Sequence, residues 1–166
     1  MGCIESMEDR QMFQVIRWWY LPLVSFYAME AVHEAGHVLF AWISGGSVRK
    51  VLLLPWEFSR TELAVNPHPL FVAWGGPVCG MVLPLLLWIV FRKAGYAHFL
   101  RFFAGFCLVA NGVYLGFGAF LRAGDCRELL IGGTPFILLP SIGLFSVFAG
   151  FVLWNGLGKQ FGLDRR

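Results

Sequence analysis

The chain has 166 residues and a formal net charge of +3; only 14% of its residues are charged, whereas 58% are hydrophobic. A soluble domain carries about 25% charged residues, so this composition excludes an ordinary soluble enzyme and indicates an integral membrane protein. The small net charge also argues against nucleic acid as a partner. The length suits a single membrane-embedded domain over residues 1–166.

The first predicted element is a membrane helix over residues 21–44. It lies in an apolar run that is longer than the roughly 20 residues needed to cross a bilayer, and Gly45-Gly46 ends it. Pro22 would lie in the first turn of this helix, where proline is tolerated. The lipid bilayer is therefore the first expected partner of the chain.

The second half of this helix contains the pattern H-E-x-x-H, formed by His33, Glu34 and His37. Residues four apart share one face of a helix, so both imidazoles can bind one metal ion. Glu34, beside them, is placed to act as a general base towards a water molecule. Such a short pattern also occurs by chance, but ionisable residues in a membrane helix are costly unless they bind something. We therefore predict a site for one metal ion, and expect zinc.

After the first helix the residue pattern changes to that of strands. Residues 48–54 are rich in β-branched and aliphatic types, residues 57–60 indicate a turn, and residues 61–65 indicate a second short strand. The sequence favours a β-hairpin. An irregular surface loop is the alternative, because an isolated hairpin is only marginally stable.

Three further membrane helices are predicted, over residues 70–91, 99–121 and 135–154. The fold class is thus an all-α, multi-pass integral membrane protein. It has about four transmembrane helices and a short β-hairpin-like segment after the first of them.

Two features within these helices bear on function. Gly76-Pro77 interrupts the second helix, because proline removes a backbone donor and glycine leaves room for another backbone. This pair is either a packing kink or a loosened turn that faces the metal and contacts substrate. Asn111, in the third helix, is the one amide side chain within any predicted span.

Two histidines leave a catalytic zinc site one protein ligand short, since such sites usually have three protein ligands. Asp125 and Glu128 lie between the third and fourth predicted helices, and Glu30 lies one turn before the motif. Asp125 and Glu128 could instead form a capping box for a following helix. Glu30 could instead support a histidine as its hydrogen-bond partner. Residue chemistry favours Asp125 as the third ligand and leaves the other two open.

The motif, its helix and the β-like segment after it resemble the site-2-protease family of intramembrane zinc metalloproteases. Gly76-Pro77 resembles the G-P element of that family, and Gly124-Asp125 resembles its D-G-type segment, which supplies an aspartate to the zinc. The resemblance covers about residues 29–130. It is closest to the small, minimal members of the family.

The resemblance implies His33, His37 and Asp125 as ligands of one zinc ion, with Glu34 as general base. The sequence departs from the family pattern at the aspartate. In the family this aspartate usually follows N-x-x-P closely and precedes a glycine. Here Asn111 lies well before Asp125, and a cysteine follows Asp125. Asn111 is then expected to bind substrate or to support a metal ligand.

The leading hypothesis is a zinc-dependent intramembrane endopeptidase (a hydrolase) that cleaves peptide bonds of membrane-spanning protein substrates. The alternative is a non-proteolytic metal-binding membrane protein, such as an inactive relative or a module that binds a partner's membrane helix. Glu34 favours the enzyme, because a simple metal binder needs no base between its histidines. Neither the substrate nor the oligomeric state follows from the sequence.

Overall fold

The computed structural model describes residues 2–54 and 56–161, with side chains from residue 20 onward except at 160. Residues 1, 55 and 162–166 of the predicted domain lie outside this part of the chain. The first element, α1 (Gly2–Ile43), begins far earlier than the predicted start at residue 21, and Pro22 lies inside it rather than in its first turn. Residues 3–21 contain neither glycine nor proline, so nothing in them favours a break. One proline weakens this long helix locally but does not end it.

The predicted hairpin is confirmed. Strand β1 (Ser47–Leu52) pairs with β2 (Arg60–Val65) in an antiparallel sheet of two strands. The register places Lys50 opposite Glu62, and their side chains form a salt bridge at 3.4 Å. The hairpin follows α1 directly, and its second strand packs beside the histidine motif.

Three helical segments within the described residues are long and apolar enough to cross a membrane. The first two are α2 (Pro69–Val90) and α3 (Ala97–Leu121). The short helix α4 (Gly124–Ile131) comes next, and the third segment, Leu138–Lys159, covers α5 (Leu138–Trp154) and most of α6 (Leu157–Gln160). The prediction of a multi-pass membrane protein is therefore confirmed in part.

The membrane helix predicted over residues 21–44 is not confirmed, because α1 is not one of those three segments. The reason lies in its composition. Two glutamates and two histidines between residues 30 and 37 lower the hydropathy of this part of the helix. The residues that suggest a function are thus the same ones that weaken its membrane signature.

Small residues allow the helices to pack closely. A Cβ added to Gly75 would lie 2.6 Å from the carbonyl oxygen of Gly36, so α1 and α2 approach each other there through their backbones. A Cβ added to Gly112 would lie 2.7 Å from the carbonyl oxygen of Gly143. The backbones of α3 and α5 therefore also approach each other closely. Such contacts are typical of helix packing in lipid.

The outer surface of α3 and α5 is apolar. The side chains of Phe117, Leu144 and Phe145 are about 70% exposed, at 68%, 74% and 72%. Large exposed apolar surfaces are unfavourable in water and suit a lipid environment. The buried polar side chain on α5 lies on the inner side, where Ser146 donates a hydrogen bond to the Met81 sulfur at 3.1 Å.

Candidate metal centre

Three side chains from distant parts of the chain converge between α1 and the start of α4. Asp125 Oδ2 lies 3.0 Å from His33 Nε2 and 3.2 Å from His37 Nε2, and the two ring nitrogens are 3.3 Å apart. Tetrahedral ions bound at about 2.0–2.1 Å hold their ligand atoms roughly 3.3 Å apart. The three atoms are therefore already spaced as a small divalent ion requires, and this group could hold a metal ion.

Hydrogen bonds on the far side of each imidazole determine which nitrogen faces the site. The Asn111 amide nitrogen donates to the carbonyl oxygen of Cys107 at 2.9 Å, so its Oδ1 accepts from His33 Nδ1 at 2.8 Å. His37 Nδ1 donates to the carbonyl oxygen of Val72 at 2.8 Å. Each neutral ring therefore carries its proton on Nδ1 and presents an unprotonated Nε2 to the site.

The third member of the group, the Asp125 carboxylate, is an anion. Burial would raise the pKa of the Asp125 carboxyl, but hydrogen bonds and positive charge from His33 and His37, which an imidazole supplies once it gains a second proton, outweigh burial and hold that pKa well below its usual range. Two nitrogen lone pairs and a carboxylate oxygen thus point at one another at hydrogen-bond distances. Such a cluster requires either an extra proton on an imidazole or a cation between the three atoms. This donor set, two imidazoles and one carboxylate, suits a divalent metal ion.

The turn before α4 brings Asp125 into the site. Gly124 has φ +54, a left-handed conformation that favours glycine, and a Cβ at this position would overlap the Tyr114 hydroxyl. The Asp125 backbone N–H donates to that hydroxyl at 2.9 Å. Asp125 lies in the first turn of α4, where the helix dipole also favours a carboxylate.

The capping-box alternative for Asp125 and Glu128 is wrong. The N-cap of α4 is Ala123, without a side-chain hydrogen bond, and Asp125 already lies inside the helix. Glu128 instead forms an exposed ion pair with Arg127 at 3.0 Å. Glu128 and Glu30 line the cavity next to the site, but neither belongs to the group of three converging ligand atoms.

Cys126, which stands where the family pattern has glycine, points away from the group. Its thiol is fully buried and donates to the carbonyl oxygen of Leu115 at 3.6 Å. Burial raises the pKa of this thiol to about 11. A metal ligand would have to be a thiolate, so Cys126 is a packing residue between α3 and α4.

Gly76 lies against the imidazoles, and neither it nor Pro77 lies on the cavity wall. A Cβ added to Gly76 would overlap Nε2 of His37 and lie 2.5 Å from Nε2 of His33. Pro77 is fully buried. Neither residue is among those that line the cavity, and this position favours the packing alternative over direct substrate contact.

A cavity of about 1140 Å³ opens beside the three ligand atoms. It is bounded by α1, the hairpin, α2, α3 and the start of α4. Glu34 lies on its wall with an exposed fraction of only 3%. Its carboxylate Oε2 accepts a hydrogen bond from the Thr61 hydroxyl at 2.7 Å. A carboxylate, a metal-binding group and space for a substrate therefore occur together.

The residue pattern does not predict three of these contacts. Tyr114 carries a weak signal, because it lies three residues after Asn111 and thus on the same face of α3. Thr61 belongs to a predicted strand, but nothing local connects it with Glu34. Val72 contributes its carbonyl oxygen, a group that every residue has, so its role leaves no trace in the sequence.

A divalent ion beside a carboxylate and an open cavity is able to activate water and polarise a carbonyl group. Comparison of the chain with protein-family models, with curated proteins and with solved structures gives no match.

Proposed function

We propose that this protein is a zinc-dependent intramembrane endopeptidase, as its resemblance to the site-2-protease family implies. The observation that carries the proposal is that Glu34 lines the same cavity as the converging ligand atoms of His33, His37 and Asp125, inside an apolar helix bundle. Two imidazoles and one carboxylate are a ligand set that catalytic zinc uses. We further propose that α1 is the fourth membrane helix, and that the two histidines and the carboxylate are tolerated there because they bind the ion.

When bound, zinc supplies Lewis-acid activation of a water molecule and of the scissile carbonyl group. Glu34 accepts the proton that the water loses and delivers it to the leaving nitrogen as the peptide bond breaks. The hydrogen bonds from His33 to Asn111 and from His37 to Val72 hold both rings in one tautomer, so no reorganisation is needed during the reaction. The negative charge of Asp125 stabilises positive charge at this buried position.

The proposed substrates are membrane-spanning proteins that unwind locally at the cleavage site. A peptide bond inside a helix is not accessible, because its carbonyl group and its neighbours are hydrogen-bonded within the helix. An extended segment could add a strand to the two-stranded sheet, because neither of its outer edges pairs with another strand in the part of the chain that the structure describes. The side chain of Leu63, on β2, lines the cavity and would contact such a segment.

The direct test replaces Glu34 by glutamine. The Glu34→Gln variant keeps the size of the side chain but has no basic carboxylate, so we expect normal zinc content and a loss of cleavage by at least about 100-fold. Zinc content is measured on the purified protein, and cleavage in liposomes that contain single-span reporter substrates. Glu128→Gln is the matched control: Glu128 also lines the cavity, but it is half exposed, and within the described residues its ion pair is with Arg127. This variant should cleave normally.

Full cleavage by Glu34→Gln would refute the mechanism. Zinc binding by the wild-type protein without cleavage of any substrate in a broad panel would favour the alternative, a metal-binding membrane protein that is not a protease.

A further inference from the structure

We infer that Thr61 is a positioning residue for Glu34, so that the β-hairpin controls the general base; this inference rests on the proposed function. The Thr61 hydroxyl donates to Glu34 Oε2 at 2.7 Å and lies 3.5 Å from the backbone carbonyl oxygen of Glu34. The two residues are 27 positions apart and belong to different elements, β2 and α1. The contact is thus a specific link between the hairpin and the helix that carries the motif.

Thr61 is the one described side chain that donates a hydrogen bond to the Glu34 carboxylate. Glu34 has three rotatable side-chain bonds, so its carboxylate needs a fixed partner to keep one orientation, and the Thr61 hydroxyl is that partner. A buried carboxylate that loses its donor becomes costly and adopts other rotamers. The hydroxyl therefore holds one oxygen of Glu34 and leaves the other free to receive a proton.

The structure of the hairpin explains why Thr61 points towards α1. Side chains alternate between the two faces of a strand, and both neighbours of Thr61 form ion pairs on the opposite face. Arg60 Nε lies 3.4 Å from the Glu62 carboxylate, and Lys50 of β1 lies 3.4 Å from the same carboxylate. The Lys50–Glu62 pair connects the two strands and is consistent with the register that places Thr61 opposite Val51. The orientation of Thr61 is therefore determined by the sheet.

This arrangement couples substrate binding to the orientation of the Glu34 carboxylate. An extended substrate that pairs with the hairpin would contact the same strand that orients Glu34. A shift of β2 along or away from α1 changes the distance between the Thr61 hydroxyl and Glu34 Oε2. Glu34 is thus correctly oriented only when the strand is in place, and the hairpin acts on the rate of the chemical step rather than on metal binding.

The test compares two substitutions of one residue. Thr61→Val keeps the β-branched shape that a strand favours but has no hydroxyl, whereas Thr61→Ser keeps the hydroxyl. We expect Thr61→Val to lower kcat by about 10- to 100-fold, the usual effect of a lost hydrogen bond to a charged group, with KM changed by less than about twofold. Thr61→Ser should restore most of kcat. Thr134→Val is the matched control, because Thr134 lies outside the cavity lining.

Zinc content and thermal stability of each variant are measured together with the kinetics. The inference is overturned if kcat of Thr61→Val equals that of the wild type, if only KM rises, if Thr61→Ser is equally impaired, or if zinc is lost together with activity. Absence of cleavage by the wild-type protein would overturn the proposed function itself. The two failures are therefore distinguishable.

Discussion

Asn111 Oδ1 lies 2.8 Å from His33 Nδ1, although the two residues are 78 positions apart in the chain. Both side chains are buried, with exposed fractions of 1% and 9%. The amide is itself held by Cys107, so its oxygen cannot rotate away from the imidazole. Asn111 therefore selects the tautomer of His33 that leaves Nε2 free for an ion.

We expect Asn111→Leu to weaken zinc binding by about 10- to 100-fold, the usual effect of removing the partner of a metal-bound imidazole. Leucine fills a similar volume, but it leaves His33 Nδ1 without an acceptor in a buried position. Affinity is measured by competition with a chelator of known strength. Asn155→Leu is the matched control, since that side chain is exposed at the end of α5. Unchanged zinc affinity in Asn111→Leu would show that the contact does not support the site.

Gly76 lies so close to His33 and His37 that no larger residue fits without moving the rings. We expect Gly76→Ala to lower zinc affinity by at least about 10-fold, because both ligand nitrogens would shift from their common point. The matched control is Gly116→Ala on α3, where an added Cβ has nothing within 4 Å. Alanine is favoured over glycine in a helix by up to about 1 kcal/mol, so this control should be as stable as the wild type or slightly more stable.

Zinc affinity and cleavage together separate the two interpretations of Gly76. A loss of both in Gly76→Ala supports its contact with the imidazoles. Normal zinc affinity with impaired cleavage would instead show that Gly76 contacts substrate, contrary to its position in the structure.

Local residue patterns predict the parts of this fold that depend on neighbours in the chain. The spacing of His33 and His37 predicts a shared helix face, and a segment rich in β-branched and aliphatic residues, followed by a turn, predicts the hairpin. The long apolar runs predict α2, α3 and α5 to within a few residues. The start of α1 is not predicted correctly, because a proline in a long helix looks the same in sequence as a proline in its first turn.

Long-range contacts are much less accessible from sequence. Ligand chemistry and the family resemblance favour Asp125 over Glu128 and Glu30 as the third ligand. They do not give the position of the Asp125 side chain relative to the two histidines. Its position depends on the turn at Gly124 and on the hydroxyl of Tyr114. The pairing of Thr61 with Glu34 depends on how the sheet packs on α1. Such contacts follow from the relative positions of whole elements, which no local pattern encodes.

Three carboxylates are candidates from the sequence for the third metal ligand: Asp125, Glu128 and Glu30. Asp125 is the one whose oxygen meets both ring nitrogens, at 3.0 and 3.2 Å. Asp125→Ala should therefore weaken zinc binding by more than about 100-fold, beyond the effect of losing a supporting partner. Glu128→Ala and Glu30→Ala, measured by the same chelator competition, should bind zinc as the wild type does. A thermal unfolding scan without metal shows whether Asp125→Ala is still folded. Tight zinc binding by a folded Asp125→Ala variant, or an equal loss in Glu128→Ala, would refute the assignment of Asp125.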